Sequence, residues 1–487
     1  MSTQDPKTEP QGGRLVFQQP IFGADEVRRR RQRPSETVIE PAQPRRLFRR
    51  CDVLVVGGGP AGTAAAIAAA RLGAEVVLLE RYNHLGGLST GGLVIWIDRM
   101  TDWSGRRIIR GIAEELLDRL PGEAIAGPPA ALWGDRDAAR VAHWKERTAA
   151  FHGVVTHSPT IDPERLKLAS QEMVLEAGAH LVLHGWGAAP LMEEGRVGGV
   201  FFESKEGRQA IRAAVTIDCT GDGDIFHRAG AASESDIDRT DIHHCMNTGW
   251  LFADVDMKAW IAFRQHDPAG FSAFMQAGRE AAGGLFERPF VSWRDDIAVF
   301  LGPRIAGYSA VDVEDQTEVE IRSHRLMQIH LDHFRAHAPG FSRAYMMLSA
   351  PQLGVRHSRR LVGAGRVARA DWDAGAVRAD EIGVSPSLAP HIPTISVPYG
   401  CLVPARLDGL LAAGRHVSCD PNSHSFLREI PQCWMTGHAA GVAAALAAAQ
   451  RRAPRDVPIA ELQAALRGQG ACLSPVPAPV PADAVVA

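Results

Sequence analysis

The sequence predicts an α/β fold whose main sheet is assembled from separate stretches of the chain. An apolar run at residues 53–56 is followed by glycines, an alanine-dense stretch at 64–72 and a second apolar run at 76–79, a pattern typical of strand, turn, helix and strand. A strand-then-helix pattern returns far along the chain, at residues 409–413 and 434–450. Both observations favour a sheet with helices packed against it.

A glycine motif separates the first predicted strand from its helix. Gly57, Gly59 and Gly62 fit the pattern G-x-G-x-x-G, which in this position is typical of a Rossmann-like dinucleotide-binding unit. Gly57 permits a tight turn, Gly59 lets the backbone approach a pyrophosphate, and Gly62 allows the helix to pack closely on the strand. Glu80 ends the second strand, where an acid accepts hydrogen bonds from the adenosine ribose. FAD and NAD share this motif, so it leaves the cofactor open.

The middle of the first half alternates helix and strand. A helix is predicted at 163–176 after Asp162, with a strand at 180–184. Two further strands, at 190–192 and 197–203, turn at Glu194 and Gly195 and lead to an apolar strand at 213–219. This arrangement predicts a β-meander that returns to the sheet.

Domain boundaries follow from these patterns. Residues 236–395 lack a repeating βαβ rhythm and include a predicted helix at 317–336. The five predicted parts are a flexible Arg- and Pro-rich arm (1–50), the first part of the cofactor-binding domain with its meander (51–235), a mixed α+β substrate or cap domain (236–395), the second part of the cofactor-binding domain (396–455) and a C-terminal tail (456–487).

Three separated segments resemble the FAD-dependent oxidoreductases of the two-dinucleotide-binding-domain flavoprotein superfamily, with a FAD domain like those of glutathione reductase and fumarate reductase. They are the glycine-rich loop after Glu80, the Thr-Gly pair after the strand at 213–219, and the Gly414-Arg415 segment with its following helix. The resemblance implies FAD as the cofactor, with the last helix directed at the flavin pyrimidine. The residues it assigns to FAD are Gly57, Gly59, Pro60, Ala61, Gly62, Glu80, Arg81, Gly86, Gly87, Leu88, Thr220, Gly221, Asp222, Gly414, Arg415, Gly437 and Ala440.

Candidates for the reaction centre are polar side chains on segments expected to approach the flavin ring. His424 lies between Arg415 and the last helix, and the structural alternative is a histidine bonded to a backbone carbonyl. His391 and Tyr399 lie on the return from the cap domain. Arg356, with the nearby Arg360 as an alternative, could clamp a carboxylate or hold flavin oxygens, and the structural alternative is a surface or interdomain ion pair.

Two histidine groups favour other interpretations. His330, His333 and His337 share one face of a predicted helix without a carboxylate or cysteine at ligand spacing, so we predict an ordinary amphipathic helix and no metal site. His243 and His244 lack a recognised context for covalent flavin attachment, which remains the less favoured alternative.

Composition limits the classes of partner. The 487 residues are 45% hydrophobic and 22% charged, with a net charge of −3, which predicts a small-molecule partner and neither nucleic acid nor membrane. No apolar run reaches the roughly 18 residues of a membrane span, and the start lacks a signal pattern. Seven cysteines without a C-x-x-C pair predict reduced thiols and a cytoplasmic protein. A homo-oligomer is compatible with these features.

We therefore predict a FAD-dependent oxidoreductase that transfers a hydride between a small organic substrate and flavin N5, as a dehydrogenase, an oxidase or a carbon–carbon double-bond reductase. One alternative is a single-component FAD-dependent monooxygenase. It would use NAD(P)H without a dedicated NADPH domain, because no second G-x-G-x-x-G after a strand is visible. The alternative of another class is a flavin-binding RNA-modification or structural protein, which only the arginine-rich arm supports.

Overall fold

The computed structural model describes residues 36–235 and 245–474 and has the predicted α/β fold. The helices of this part are α1 (Pro60–Arg71), α2 (Ile112–Asp118), α3 (Ala138–Glu146), α4 (Pro163–Glu176), α5 (Asp224–Arg228), α6 (Met257–His266), α7 (Pro268–Ala281), α8 (Val313–His337), α9 (Arg369–Asp373), α10 (Pro421–Leu427), α11 (Ile430–Gln450) and α12 (Ile459–Gly468). The strands are β1 (Arg46–Val56), β2 (Val76–Leu79), β3 (Ile125–Ala126), β4 (Ala150–Phe151), β5 (Val154–Val155), β6 (Thr160–Ile161), β7 (His180–Val182), β8 (Trp186–Glu193), β9 (Arg196–Ser204), β10 (Gly207–Asp218), β11 (Ser233–Ser235), β12 (Met246–Asn247), β13 (Trp250–Ala253), β14 (Phe290–Val291), β15 (Ile297–Phe300), β16 (Tyr345–Ser349), β17 (Gly354–Val355), β18 (Arg359–Leu361), β19 (Glu381–Ser385), β20 (Ile395–Pro398) and β21 (Leu410–Ala412).

The largest sheet has seven strands in the order β7-β2-β1-β10-β9-β8, with β21 pairing the end of β10. The pairs of β1 with β2, of β1 with β10 and of β10 with β21 are parallel, so these strands end at one edge. Residues Val53 to Val56 are at most 2% exposed, as expected for a parallel strand covered on both faces. In such sheets, ligands bind beyond the carboxyl ends of the strands.

The β-meander forms as predicted, with β8 and β9 as antiparallel neighbours. Glu194 and Gly195 have φ values of 50° and 78°, so both central residues of the turn are left-handed. This is the geometry that suits a two-residue hairpin.

Helices α1 and α11 pack on one face of this sheet through very small residues. A Cβ atom at Gly437 would lie 2.0 Å from the carbonyl oxygen of Ala61, and one at Gly441 would lie 2.2 Å from that of Ala65. Alanine and glycine therefore allow the two helix backbones to come into direct contact.

A second sheet has four antiparallel strands in the order β14-β15-β13-β16 and belongs to a separate hydrophobic cluster with α8. Trp250, Trp260 and Phe334 are fully buried there. We refer to this sheet and its helices as the cap. The later hairpin of β19 and β20 packs instead with the core of the large sheet, through Ile382 and Val397.

Several elements differ from the predicted organisation, and three of these differences have a local physical cause. Strand β1 begins at Arg46, inside the predicted arm, because residues 46–50 pair with β10. Helix α8 begins at Val313 because Asp312 accepts hydrogen bonds from the backbone N–H groups of residues 314 and 315. Helix α12 lies in the predicted tail, where Leu462 and Leu466 are fully buried.

Candidate active site

A cavity of about 410 Å³ lies at the carboxyl edge of the large sheet. The residues assigned to FAD that line it are Gly57, Gly59, Pro60, Ala61, Glu80, Gly87, Leu88, Thr220, Gly221, Gly414 and Arg415. These residues follow four different strands, and the sheet topology brings them together.

The glycine turn has space for a ligand where a phosphate is expected. Gly57 has a φ of 102°, and a Cβ atom there would lie 2.4 Å from the carbonyl oxygen of Cys219. A Cβ atom at Gly62 would lie 1.7 Å from the carbonyl oxygen of Gly57, so Gly62 serves packing rather than ligand contact. At Gly59 the nearest atom would be 3.9 Å away, in Gly87, so this backbone borders open space. The turn and the N-terminus of α1 thus form a cradle that fits a pyrophosphate.

Backbone groups fix the position of Glu80. Its Oε2 accepts a hydrogen bond of 2.5 Å from the N–H of Gly58, and its Oε1 accepts one of 2.8 Å from that of Tyr82. Burial raises the pKa of Glu80 above its ordinary value. Each carboxylate oxygen keeps a further lone pair for a ribose hydroxyl. Arg81 does not line the cavity, and its guanidinium carbon lies 4.8 Å from the centre of the Tyr82 ring.

An ion pair beside the glycine turn directs Arg415 into the cavity. Its Nη2 donates a hydrogen bond of 2.9 Å to Oδ1 of Asp222, which also accepts one of 2.7 Å from the hydroxyl of Ser358. Burial alone would raise the pKa of Asp222, but the charge of Arg415 and this hydrogen bond hold it below its ordinary value. The Nη1 of Arg415 is buried and lacks a partner within the described part of the chain. It is a donor suited to an oxygen of FAD.

Helix α11 contributes Ile430 and Cys433 to the lining at its N-terminus. Gly437 and Ala440 do not line the cavity, because both face the interior where α11 packs on the sheet and on α1. Gly86 is also outside the lining, and its N–H donates a hydrogen bond of 2.9 Å to the carbonyl oxygen of Gly58. These three residues support the geometry of the site through packing or backbone contacts.

Three of the four catalytic candidates do not line the cavity. His424 is 1% exposed, with Nε2 lying 3.2 Å from the carbonyl oxygen of Arg415, as in the structural alternative. Burial and the charges of His357 and neighbouring arginines lower the pKa of His424 well below its ordinary value.

Tyr399 is 3% exposed, and its hydroxyl donates a hydrogen bond of 2.8 Å to the carbonyl oxygen of Pro454. Burial raises its pKa above the ordinary value. His391 is exposed and does not line the cavity. Of the four candidates, Arg356 is the one that lines it.

The remaining lining includes side chains that local sequence patterns did not single out. Apolar members include Val94, Trp96, Trp103, Phe151, Phe290, Leu301, Leu388 and Phe426, and polar members include Asn247, Arg304, Gln352 and Arg428. His152 also lines the cavity, with a φ of 48° followed by 74° at Gly153. A His-Gly pair between apolar residues is a hairpin signal that could have identified this turn.

The histidines of α8 belong to the cap core. His330 is fully buried, its Nδ1 lies 2.7 Å from the carbonyl oxygen of Leu326, and its Nε2 accepts a hydrogen bond of 3.1 Å from the N–H of Glu287. Burial lowers the pKa of His330 to about 4. No cluster of three or more potential metal ligands occurs among residues 36–235 and 245–474. His243 and His244 lie outside these residues.

No helix in the described part of the chain is long and apolar enough to cross a membrane.

The chain is similar to known proteins over parts of its length. A digeranylgeranylglycerophospholipid reductase 2 of Methanopyrus kandleri is 30% identical over 178 residues, which are 35% of this chain and 37% of that protein. The tRNA uridine 5-carboxymethylaminomethyl modification enzyme of Granulibacter bethesdensis is 40% identical over 90 residues, covering 16% of this chain and 14% of that protein. The chain thus matches less than half the length of these curated relatives.

A solved structure of a geranylgeranyl bacteriochlorophyll reductase-like protein from Thermoplasma acidophilum has a TM-score of 0.44 and 14% identity, covering 86% of this chain and 83% of its own. The family model described as FAD dependent oxidoreductase matches residues 52–466. The predicted cofactor and enzyme class are therefore confirmed. The chain belongs to the FAD-dependent oxidoreductase family.

Proposed function

We propose that this enzyme transfers a hydride between FAD and a carbon atom of a small, largely apolar molecule, in the direction that reduces a carbon–carbon double bond. The observation that carries the proposal is the cavity itself. The same cavity that is lined by the glycine turn is also lined by aromatic and aliphatic side chains, among them Trp96, Phe151 and Phe290. An apolar substrate can therefore lie beside the cofactor.

FAD supplies hydride chemistry at its N5 atom when it is bound. The protein contributes binding and an apolar lining. Polar atoms of two lining residues are occupied within the protein: Nη1 of Arg99 donates a hydrogen bond of 2.5 Å to the carbonyl oxygen of Ser387, and Nε1 of Trp103 donates one of 3.0 Å to the Ser387 hydroxyl. The guanidinium carbon of Arg99 lies 4.8 Å from the centre of the Trp103 ring. These polar atoms are thus engaged within the protein, which leaves the Trp103 ring as apolar surface beside the cavity.

Reduction of a double bond also requires a proton at the second carbon. His152 lines the cavity, and imidazole is the side chain that exchanges protons most readily near neutral pH. Its ring centre lies 5.4 Å from that of Trp103 in an edge-to-face contact. We assign His152 the role of proton donor.

The direction of the reaction is supported by one of the relatives. The name of the Methanopyrus kandleri protein describes a reductase, and the shared segment covers 35% of this chain. Neither of the two relatives compared above is matched over half its length, so the substrate of this enzyme is to be found by experiment.

Anaerobic flavin spectroscopy tests the proposal. The FAD-loaded protein is reduced with dithionite and mixed with unsaturated acids, esters and hydrocarbons. We expect the absorbance of oxidised flavin to return with an unsaturated compound and the product to gain two hydrogen atoms. Bleaching of oxidised flavin by alcohols or amines would instead establish dehydrogenation. Incorporation of oxygen with NADPH consumption would establish the monooxygenase alternative.

A pair of histidine variants tests the proton donor. His152→Asn is expected to slow reoxidation by the substrate while FAD content stays unchanged. His391→Asn is the matched control, because His391 is exposed and lies outside the cavity lining. Equal rates for both variants would contradict the role of His152.

We also propose that the enzyme works in the cytoplasm on a small-molecule partner, without nucleic acid. All seven cysteines are free thiols, as is usual in a reducing compartment. Cell fractionation checks the location. The ultraviolet absorbance ratio of the purified protein, compared before and after nuclease treatment, checks for bound nucleic acid.

A further inference from the structure

Three arginines that line the cavity have guanidinium nitrogens without partners. They are Arg304, Arg356 and Arg428. The Nη1 of Arg304 and the Nε atoms of Arg356 and Arg428 are buried and have no hydrogen-bond partner in the described part of the chain. Burying an N–H donor without a hydrogen-bond acceptor costs free energy, because the donor loses its hydrogen bonds to water. We therefore expect an oxygen atom of a ligand to be the partner of these nitrogens.

Nearby acids balance only part of this charge. Arg428 forms an ion pair of 3.1 Å with Glu429, whereas Arg304 and Arg356 form none with the acids of residues 36–235 and 245–474. Burial, and then the charge of Arg356, lowers the pKa of Arg304, but a guanidinium remains protonated in proteins. The cavity wall therefore carries excess positive charge.

Glu287 is the other acid close to this group. Its Oε1 accepts a hydrogen bond of 2.6 Å from the N–H of Gly302. Burial raises the pKa of Glu287 to about 7, although Arg304 and Arg356 act in the opposite direction. Near neutral pH this carboxyl is therefore partly uncharged and does not neutralise both arginines.

Two of these arginines, Arg304 and Arg356, lie on chain segments that do not form the cradle for the cofactor phosphates, whereas Arg428 lies just before α11. Arg304 follows β15 of the cap sheet, and Arg356 follows β17, whereas the phosphate cradle is formed by the glycine turn, α1 and Arg415. We therefore expect the ligand of Arg304 and Arg356 to bind at the part of the cavity that is nearest to the cap.

We infer that Arg304, Arg356 and Arg428 bind an anionic group of the substrate, a carboxylate or a phosphate. The apolar part of the substrate lies against the aromatic side chains of the same cavity, among them Trp96, Phe151 and Phe290. Guanidinium groups match both anions through paired N–H donors. The inference rests on the proposed function for the identity of the substrate. Binding of the anion can be measured without turnover.

Calorimetric titration of the FAD-loaded protein tests the site with matched pairs of probes. Cinnamate is compared with neutral cinnamamide, and phenyl phosphate with phenol, so that the two pairs distinguish a carboxylate from a phosphate site. We expect one of the anions to bind at least about tenfold more tightly than its neutral partner, since hydrogen bonds to charged groups have this magnitude. The preference is expected to fall as sodium chloride is added.

Variants then locate the site. Arg304→Gln and Arg356→Gln are each expected to weaken anion binding about tenfold, with unchanged binding of the neutral probe and unchanged FAD content. Arg343→Gln is the control, since that side chain is 79% exposed and pairs with Asp254 at 2.6 Å. Equal binding of anion and neutral probe by the wild-type protein would overturn the inference, and this comparison holds even where a variant does not fold. Release of FAD by both folded variants would also overturn it, because the arginines would then serve the cofactor.

The outcomes separate this inference from the proposed function. Anions that bind through these arginines while no unsaturated compound reoxidises the flavin would support the anion site and contradict the direction of the reaction. Reduction of neutral unsaturated compounds without a preference for anions would support the direction and overturn the anion site.

Discussion

Replacing Gly437 by alanine tests how α11 positions α1 beside the cavity. A Cβ atom at this position would lie 2.0 Å from the carbonyl oxygen of Ala61, whereas ordinary contacts begin at 3.4 Å. The two helices must therefore separate locally by about 1.4 Å, the difference between these distances. Ala61 lines the cavity directly after the glycine turn, so the displacement reaches the phosphate cradle.

The magnitude follows from the rigidity of the obstacle. Overpacking costs about 1–3 kcal/mol, and the upper value applies because a helical carbonyl cannot rotate away. Alanine offsets about 1 kcal/mol of this through its helix propensity. The net loss of about 2 kcal/mol corresponds to a fall of about 4–8 °C in Tm for a domain of about 150–250 residues. We also expect weaker FAD binding, because the displaced backbone at Ala61 lines the cavity beside the phosphate cradle.

Thermal unfolding with and without added FAD measures both effects. Gly468→Ala is the control, because a Cβ atom there would have no heavy atom within 4 Å, and it too lies in a helix. We expect its Tm to stay the same or to rise slightly. A Gly437→Ala protein with wild-type Tm and FAD content, or an equal loss in Gly468→Ala, would refute the packing argument.

Three further changes test other parts of the structure. Arg415→Ala removes a cavity donor and the partner of Asp222, so the Kd for FAD should rise at least about tenfold in a fluorescence titration; an unchanged Kd would contradict the assignment. In the folded protein the pKa of Glu287 is about 7, compared with 4.5 in the unfolded chain. The folded state is therefore favoured fully below pH 4.5, and this contribution to the free energy of unfolding is lost as the pH rises from 4.5 to about 7. Urea unfolding of Glu287→Gln should lack this decline, and an identical pH profile would count against it. Phe334→Ala should lower the free energy of unfolding by about 3–5 kcal/mol in urea, because the ring is fully buried and lies 5.3 Å from that of Trp260; a loss below about 1 kcal/mol would show that the cap core closes around the gap.

Much of the fold could be predicted because its signals are local. Strand β2 and helix α4 have the predicted limits, since an apolar run between turn residues marks the strand and Asp162 with Pro163 marks the start of the helix. Gly57 was recognised because the left-handed turn requires glycine there, and Gly59 because its backbone borders the space expected for a pyrophosphate. The cap topology was not predicted, because its four strands are short and pair across intervening helices.

The sequence by itself determined the cofactor end of this protein: a strand, a glycine turn, a helix and an acid at fixed spacing, followed by two distant segments of the same domain. Only the tertiary structure decided which side chains reach the reacting end. His424 and Tyr399 lie in the core, where each is hydrogen-bonded to a backbone carbonyl oxygen. His152 and Arg304, which are far apart in the chain, line the same cavity. The physical reason is the sequence separation of the interacting residues. The conformation of a turn depends on the few residues that form it, whereas the lining of a cavity depends on the packing of sheets whose residues are far apart in the chain.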